Sequence, residues 1–328
     1  MQPFSYSRPA TENEAIAAMQ LEPAAAVIAG GTDLLDLMKL DVTAPSQLID
    51  INGLPLAGIE STGQGVTIGA LARMSDVARN ATITRGFPVL SQALLASASP
   101  QLRNMATVGG NLMQRTRCPY FRDSTFACNK RDPGSGCSAI NGYNRGSAIL
   151  GASPKCIAVH PSDMAVALVA LGADILLASR SGTRHVAVED FYLLPGDMPQ
   201  NETVREPGEL IVAVEVPASR IARNSVYLKV RDRASFEFAL VSVAAAVDME
   251  GSVIKSARFA IGGVAARPWR SQSAEAVLTG KPASMKNFAA AAAAALIGAT
   301  SASRNAFKVT LAQNAIKRAL ALATRVEK

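Results

Sequence analysis

Short apolar runs alternate with helix-like periodicity in the first part of the chain, a pattern typical of α/β structure. A capping box, Thr11-x-x-Glu14, precedes a predicted helix with the sequence EAIAAMQ. Apolar runs at 26–29 and 48–51 predict two short strands, and LLDLMKL between them predicts a second helix. The Asn-Gly turn pair that follows predicts the end of a first unit, which spans residues 1–57.

The central part of the chain, residues 58–220, is richer in strand patterns. Apolar stretches predict strands at 66–71, 173–178, 185–190 and 209–217. Helical patterns lie around 75–80 and 88–98, and a third helix, MAVALVALG, is predicted to follow Ser162 as its N-cap. This second unit also contains the segment 115–157, which carries few large aliphatic residues.

The last part of the chain, residues 221–328, begins with three strand patterns: SVYLKVRDR, ALVSVAAAVDM and VIKSARFAIGGVA. Two helices are predicted to follow, an Ala-rich one at 286–299 and an amphipathic one at 305–326. The predicted fold class is therefore α+β: a two-part domain, then a C-terminal domain made of a three-stranded antiparallel sheet and helices.

Two glycine pairs, each flanked by polar residues, share one chemical logic. AGGTD at 29–33 follows a predicted strand and opens a helix, and TVGGN at 107–111 again sets glycines between a hydroxyl and an amide. Glycine lets the backbone approach a ligand closely, and N–H groups at a helix N-terminus bind anions such as a diphosphate. Each motif alone is explained equally by a tight turn. Together they indicate one extended anionic ligand, such as a dinucleotide, held from two sides.

The composition narrows the class of protein. Hydrophobic residues make up 49% of the chain and charged residues 18%, which indicates a globular rather than a disordered protein. No segment reaches the ~18 consecutive apolar residues of a membrane-spanning helix, so none is expected. The first residues, MQPFSYSRPATENEA, have neither the basic nor the apolar region of an export signal, and we expect no such signal in the chain itself.

The net charge of +7 is concentrated in one segment. Between Arg115 and Cys156, seven basic and two acidic residues leave a net charge of +5. Nucleic-acid-binding proteins usually add a recognisable module, or aromatic residues set among the basic ones, and no such module is evident. We therefore expect no nucleic-acid partner, although a basic, non-enzymatic scaffold protein stays an alternative.

The same basic segment holds all four cysteines: Cys118, Cys128, Cys137 and Cys156. Their spacing contains no C-x-x-C pair and matches neither a familiar zinc site nor a ferredoxin pattern. Count and clustering leave four explanations open, namely free thiols, two disulfides, a zinc site or an iron–sulfur cluster. Because the segment has few aliphatic residues to bury, a metal centre would supply the order that a core does not. The basic residues would favour thiolates and offset the charge of either kind of centre.

Four ordered motifs resemble the flavin-binding subunit of the molybdenum hydroxylases, the xanthine dehydrogenase family. They are AGGTDLL, RNMATVGGNL, HPSDMAVALVALGA and the C-terminal SVYLKVRDRASFEFALVSVAAAV with AIGGVAARPWR, and they span nearly the whole chain. The segment CPYF…CNKR…PGSGC is further similar to the FAD subunits of periplasmic-type bacterial aldehyde oxidoreductases. The resemblance implies a two-part FAD-binding domain of the PCMH/vanillyl-alcohol-oxidase type, followed by a C-terminal flavoprotein domain.

The resemblance also implies a set of FAD contacts. The first glycine loop would hold the diphosphate through backbone N–H groups, and the second would contact the diphosphate and ribityl chain. Ser162 and Asp163 would bind the ribityl and adenosine end, with Ile211 on the adenine side. Lys229 would reach the cofactor from the C-terminal domain, although without the resemblance it would be taken for a solvated strand residue. The implied FAD-binding residues are Val27, Ile28, Ala29, Gly30, Gly31, Thr32, Asp33, Leu34, Leu35, Thr107, Gly110, Asn111, Gln114, Ser162, Asp163, Ile211 and Lys229.

Family members with a four-cysteine insertion bind a 4Fe–4S cluster, so the resemblance implies that Cys118, Cys128, Cys137 and Cys156 bind one. It implies a role in electron transfer: a large molybdenum subunit oxidises an aldehyde, a small subunit with two 2Fe–2S clusters passes the electrons on, and FAD delivers them to an external acceptor. No catalytic residue is expected in this chain. A zinc-stabilised flavoprotein of the same fold is the alternative.

The expected location of the protein follows from two opposing signals. Four cysteines without a signal sequence ordinarily indicate the cytoplasm. The resemblance instead favours the periplasm, which the folded chain would reach by co-export with a signal-bearing partner.

Overall fold

The first region of the chain contains a three-stranded parallel sheet. Its elements are β1 (Ser5–Ser7), α1 (Glu12–Leu21), β2 (Ala26–Ile28), α2 (Leu34–Lys39) and β3 (Gln47–Asp50). The strand order is β1-β3-β2, so β3 is central. The computed structural model describes residues 1–326, and the last two residues of the predicted C-terminal unit lie outside the described residues.

The central region combines a five-stranded antiparallel sheet with many short helices. Its elements are β4 (Ile59–Thr62), β5 (Gly65–Gly69), α3 (Met74–Arg79), α4 (Ala81–Gly86), α5 (Pro88–Ala96), α6 (Pro100–Met105), α7 (Val108–Leu112), α8 (Pro119–Arg122), α9 (Ser138–Asn141), α10 (Asp163–Leu171), β6 (Asp174–Ser179), β7 (Gly182–Ala187), α11 (Val188–Phe191) and β8 (Leu210–Pro217). The strand order is β4-β5-β8-β6-β7. The central strand, β8, is apolar over most of its length because it is buried in the middle of the sheet.

The C-terminal region contains the predicted antiparallel sheet and the helices that cover it. Its elements are α12 (Arg220–Arg223), β9 (Ser225–Val230), β10 (Val241–Glu250), β11 (Val253–Gly262), β12 (Trp269–Arg270), α13 (Gln272–Leu278), β13 (Lys281–Pro282), α14 (Met285–Ala295) and α15 (Phe307–Thr324). The long strands β9, β10 and β11 are the three that the sequence predicts. Two short strands, β12 and β13, extend the sheet by pairing with β11.

Strand β10 shows how the C-terminal sheet joins the central region. Val243 and Ala245 belong to the hydrophobic core that contains Ile316 of α15. Ala244, which points to the opposite face, belongs to the core that contains the whole apolar surface of α10. Because both faces of β10 are buried, its sequence is apolar at successive positions, and the small side chain of Ala244 leaves space for α10 to approach.

The structure differs from the predicted elements where a segment is short. The pattern HVAVED predicts a strand that ends at residue 190, but β7 ends at Ala187 and a turn of helix follows. Val188 and Phe191, three residues apart, are both buried by that turn, a spacing that suits helix better than strand. The strands β1 and β4 have only three and four residues, too few to show a period in the sequence.

Candidate functional site: two glycine loops and a cysteine loop

A cavity of about 670 Å³ is lined by residues of the first sheet and of the central region. This volume lies within the range of about 300–1,000 Å³ that is usual for cofactor and ligand sites. Ten of the predicted FAD-binding residues line the cavity: Val27, Ala29, Gly30, Gly31, Thr32, Asp33, Leu34, Thr107, Gly110 and Ile211. Both glycine loops therefore contribute to the wall of one cavity.

The two glycine loops pack directly against each other. A Cβ atom on Gly30 would lie 2.1 Å from the backbone oxygen of Met105, just before the second loop, so only glycine fits there. Arg73 donates hydrogen bonds to that same oxygen and to the side chain of Asn52. Asn52 in turn donates to the carbonyl oxygen of Ala29, at 2.9 Å. The cavity thus has a rigid base made of backbone atoms.

Each glycine loop leads into a short helix whose first N–H groups lie at the cavity. Asp33 occupies the N-cap position of α2 but makes no capping hydrogen bond, so the first N–H groups of this helix have no side-chain acceptor. Thr107 caps α7 by accepting a hydrogen bond from the N–H of Gly110, at 3.2 Å. Gly31 has a φ angle of +69°, a conformation that glycine adopts without strain. These features fit an anionic group such as a diphosphate.

Three predicted residues support the loops without lining the cavity. Ile28 pairs with Asp50 in the parallel sheet. The Leu35 side chain packs beside Gly31, and Gln114 donates a hydrogen bond of 3.0 Å to the backbone oxygen of Asn111.

Asn111 and Ser162 join the second glycine loop to α10. The Ser162 hydroxyl is 2.6 Å from Oδ1 of Asn111, and it accepts a hydrogen bond from the N–H of Ala165. The predicted N-cap of α10 is therefore confirmed. Ser162 and Asp163 line a narrow cleft of about 30 Å³, separate from the large cavity, together with Arg117, His160 and Phe238.

Lys229 is bound to a carboxylate within the protein. Its Nζ is 2.8 Å from Oδ2 of Asp163 and 3.2 Å from the backbone oxygen of Ala96. The hydroxyl of Tyr227 donates to the other oxygen of the same carboxylate at 2.5 Å. The Lys229 and Asp163 side chains are only 3% and 5% exposed, so this pair is a buried ion pair between the C-terminal sheet and α10.

His160 is a buried neutral imidazole beside the narrow cleft. Burial, together with the positive charge of Lys130, lowers its pKa to about 3. Its ring lies against that of Tyr192, with ring centres 4.1 Å apart, and its Nε2 is buried without a hydrogen-bond partner.

Sequence reasoning missed the part of the cavity wall around residues 205–209. Arg184 makes a bidentate ion pair with Glu209, at 2.5 and 2.8 Å, and Arg205 donates to the Glu209 backbone oxygen. Gly208 has a φ angle of +81°, which allows the turn between them. The Pro-Gly pair at 207–208 is a turn signal that marks this loop, although it does not show that the loop meets the first sheet.

The cysteine loop, residues 115–157, brings its four thiols into one neighbourhood. All four are free, so the disulfide alternative is not formed in this structure. Burial raises the pKa of the Cys118 thiol to about 11, and the nearby charges of Cys128 and Cys156 add to the increase. Cys128 and Cys137 lie opposite each other in an antiparallel bridge. Among residues 1–326, no three His, Cys, Asp or Glu side chains are arranged to hold a single metal ion.

Hydrogen bonds to sulfur and to the backbone organise the cysteine loop. The N–H of Ala158 donates to Sγ of Cys156 at 3.5 Å. The side chain of Asn129 accepts from the N–H groups of Gly134 and Gly136 and donates to the backbone oxygen of Lys155. Sulfur atoms that accept N–H hydrogen bonds are also a common feature of iron–sulfur sites.

Two family models match the chain in sequence order. Residues 2–219 match the "FAD binding domain in molybdopterin dehydrogenase", and residues 226–323 match the "CO dehydrogenase flavoprotein C-terminal domain". A chain of the carbon monoxide dehydrogenase structure from Hydrogenophaga pseudoflava is similar with a TM-score of 0.76 and 28% identity, over 98% of both chains. A chain of quinoline 2-oxidoreductase from Pseudomonas putida gives 0.77 and 26%, over 99% of this chain and 98% of that one.

These matches define the class of protein: the chain belongs to the FAD-binding subunits of the molybdenum hydroxylase family, which are parts of oxidoreductase complexes. The "aldehyde oxidoreductase FAD-binding subunit PaoB" of Escherichia coli is 52% identical to it over 281 residues, 85% of this chain and 87% of PaoB. The "glyceraldehyde dehydrogenase medium chain" of Sulfolobus acidocaldarius is 32% identical over 279 residues, 85% of this chain and 82% of that protein.

The comparisons confirm the predicted α+β architecture, a FAD-binding domain followed by a C-terminal flavoprotein domain, and they confirm that the chain is part of an oxidoreductase. They also support FAD as a cofactor. Within residues 1–326, no helix has the length and apolar character needed to cross a membrane.

Proposed function

We propose that this protein is the FAD-binding, electron-transfer subunit of a molybdenum-dependent aldehyde oxidoreductase. The 52% identity with PaoB over 85% of the chain carries the proposal. The cavity supports it, because two glycine loops meet there at a base that has no space for a side chain. When bound, FAD supplies the exchange of one or two electrons.

The chain contributes binding and orientation of the cofactor. Backbone N–H groups at the start of α2 and α7 would hold the diphosphate, and the apolar side chain of Ile211 would cover the adenine side. Arg115 and Arg205 at the cavity wall add positive charge near an anionic ligand. We assign no general acid or base to this chain, because in the proposed complex the aldehyde is oxidised on another subunit.

Isolation of the intact complex tests this function. We expect the chain to copurify from the periplasmic fraction with a small 2Fe–2S subunit and a large molybdenum subunit, one of which bears the export signal. The complex should contain FAD and reduce an external acceptor when aldehyde is added, whereas this subunit alone should not. A colourless chain that takes up no FAD would contradict the proposal and favour a basic scaffold protein. Recovery of an active complex from the cytoplasm would contradict only the proposed location.

The second cofactor that we propose is a 4Fe–4S cluster in the cysteine loop. Four free thiols that influence one another's pKa, and an N–H group directed at Cys156, support it. Two buried guanidinium nitrogens close by, Nε of Arg117 and Nη1 of Arg122, have no hydrogen-bond partner, which suits an anionic centre. Zinc bound by the same cysteines is the alternative.

Cys128→Ser is expected to remove most of the iron and the acid-labile sulfide. The wild-type chain should hold about four iron atoms if the cluster is of the 4Fe–4S type. Cys128 is buried, so no other side chain can replace its sulfur. The matched control is Ser124→Ala, an exposed position of the same loop, which should keep the wild-type content. Zinc without sulfide in the wild-type chain would refute the cluster and support the zinc alternative.

A further inference from the structure

Helix α2 touches both candidate centres. It begins directly after the first glycine loop, which lines the cavity. Its buried Leu37 packs in a small core with Phe121 and Cys128 of the cysteine loop. A helix of one and a half turns is therefore the only element in this core that also adjoins the glycine loop, among the residues that the structure describes.

Arginines of the cysteine loop hold the carboxylates of α2 and of its N-cap. Nη1 of Arg117 is 2.7 Å from Oδ1 of Asp33, and the backbone N–H of Arg115 donates to Oδ2 of the same carboxylate at 2.9 Å. One turn further along, Arg122 forms an ion pair with Asp36. The Arg117 and Asp33 side chains are 22% and 14% exposed, so water screens this pair less than a surface pair.

The position of Asp33 explains why the first turn of α2 has free N–H groups. An aspartate at an N-cap ordinarily accepts from the first turn of its helix. Here its carboxylate is turned toward Arg117 and Arg115, and α2 has no side-chain cap. The cysteine loop thus keeps the anion-binding end of α2 open toward the cavity.

We propose that Arg117 couples the metal-bound state of the cysteine loop to flavin affinity by holding Asp33 away from the N–H groups of α2. The inference rests on the proposed function, because it requires FAD at one site and a metal centre at the other. Without that centre the loop has only a small core around Phe121, and its residues order less well. Asp33 is then free to cap α2, where it competes with the diphosphate of FAD.

Two consequences follow from this arrangement. Removing the metal centre weakens FAD binding, because Asp33 must be displaced and the loop must be ordered when FAD binds. By thermodynamic reciprocity, bound FAD stabilises the metal centre to the same extent. Arg117 acts as a positioning residue, since its guanidinium contacts Asp33 rather than the cavity.

The test compares FAD affinity with and without the metal centre. FAD is titrated into flavin-free full-length chain, prepared anaerobically with the centre intact or after its removal by a chelator. In the wild-type chain we expect binding on the order of tenfold weaker after removal. In Arg117→Gln the two affinities should be equal and close to that of the metal-free wild-type chain. Equal affinities in the wild-type chain would overturn the inference.

Arg145→Gln is the matched control. Arg145 lies in the same loop and also makes a bidentate ion pair, at 2.7 and 2.9 Å, but with Asp232 of the C-terminal region. This variant should keep the wild-type difference in FAD affinity. Loss of the difference in Arg145→Gln as well would show that any disturbance of the loop suffices, which contradicts a specific role for Arg117.

A second measurement needs no variant. The rate of iron release to a chelator is recorded for the wild-type chain with and without excess FAD, and FAD should slow it on the order of tenfold. An unchanged rate would count against the coupling while FAD binding and iron content still supported the proposed function. A chain that contains neither iron nor FAD would overturn both.

Discussion

Gly30→Ala is expected to abolish FAD binding and to destabilise the folded chain. The added Cβ would lie 2.1 Å from the backbone oxygen of Met105 and 2.8 Å from its carbonyl carbon. Both are backbone atoms that cannot rotate away, so the two glycine loops must move apart and the base of the cavity opens. Overpacking of this kind costs about 1–3 kcal/mol, and a clash with backbone falls at the upper end. Thermal unfolding and FAD titration measure the two effects.

Gly86→Ala is the matched control for this prediction. A Cβ on Gly86 meets no atom within 4 Å, and the residue ends α4 away from the cavity. Alanine there should leave FAD affinity unchanged and should change the free energy of unfolding by no more than about 1 kcal/mol. If Gly30→Ala bound FAD as tightly as the control, the diphosphate would not lie where the two loops meet.

The glycine loops were predictable from sequence because their chemistry is local. A glycine pair after a strand, with polar neighbours and a helix to follow, encodes close backbone approach within a few residues. Gly30 and Thr107 accordingly line the cavity, and the structure adds what the sequence does not encode. It shows that Gly30 faces the backbone of residue 105 and that the two loops form one wall.

The role of Asp33 could not be predicted in the same way. In the sequence it is the last residue of a glycine motif, so it counts as a ligand or a helix cap. Its contacts, Arg115 and Arg117, lie more than eighty positions later in a segment whose charge was evident but whose position in space was not. Pairing between distant charged residues leaves no periodic signal, so the connection between cysteine loop and glycine loop emerges only from the structure.

The wall at residues 205–209 was missed for a related reason. Arg205 and Glu209 follow no familiar motif, and their positions depend on Arg184 of a neighbouring strand. Ile211 was placed near the cofactor only through the resemblance to known flavoproteins, and it does line the cavity. Family resemblance thus contributed contacts that local chemistry alone does not reveal.

Lys229→Met is expected to destabilise the chain by about 3–5 kcal/mol, because removing one partner leaves a buried charge unpaired. Asp163 is 5% exposed, and after the change only Tyr227 would still donate to its carboxylate. Because the pair joins the C-terminal sheet to α10, both regions should unfold more readily in chemical denaturation. The matched control is Lys255→Met, an exposed position in β11, which should be nearly neutral.

A double variant separates the structural role of Lys229 from a role in binding FAD. Lys229→Met combined with Asp163→Asn removes both charges and keeps an oxygen to accept from Tyr227, so most of the lost stability should return. If FAD affinity returns as well, Lys229 acts through Asp163 and the fold. If stability returns while FAD affinity stays low, one or both of these side chains contact the cofactor, as the resemblance to known flavoproteins implies. Failure of the double variant to regain stability would contradict the assignment of this contact as a buried ion pair whose main cost is the unpaired charge.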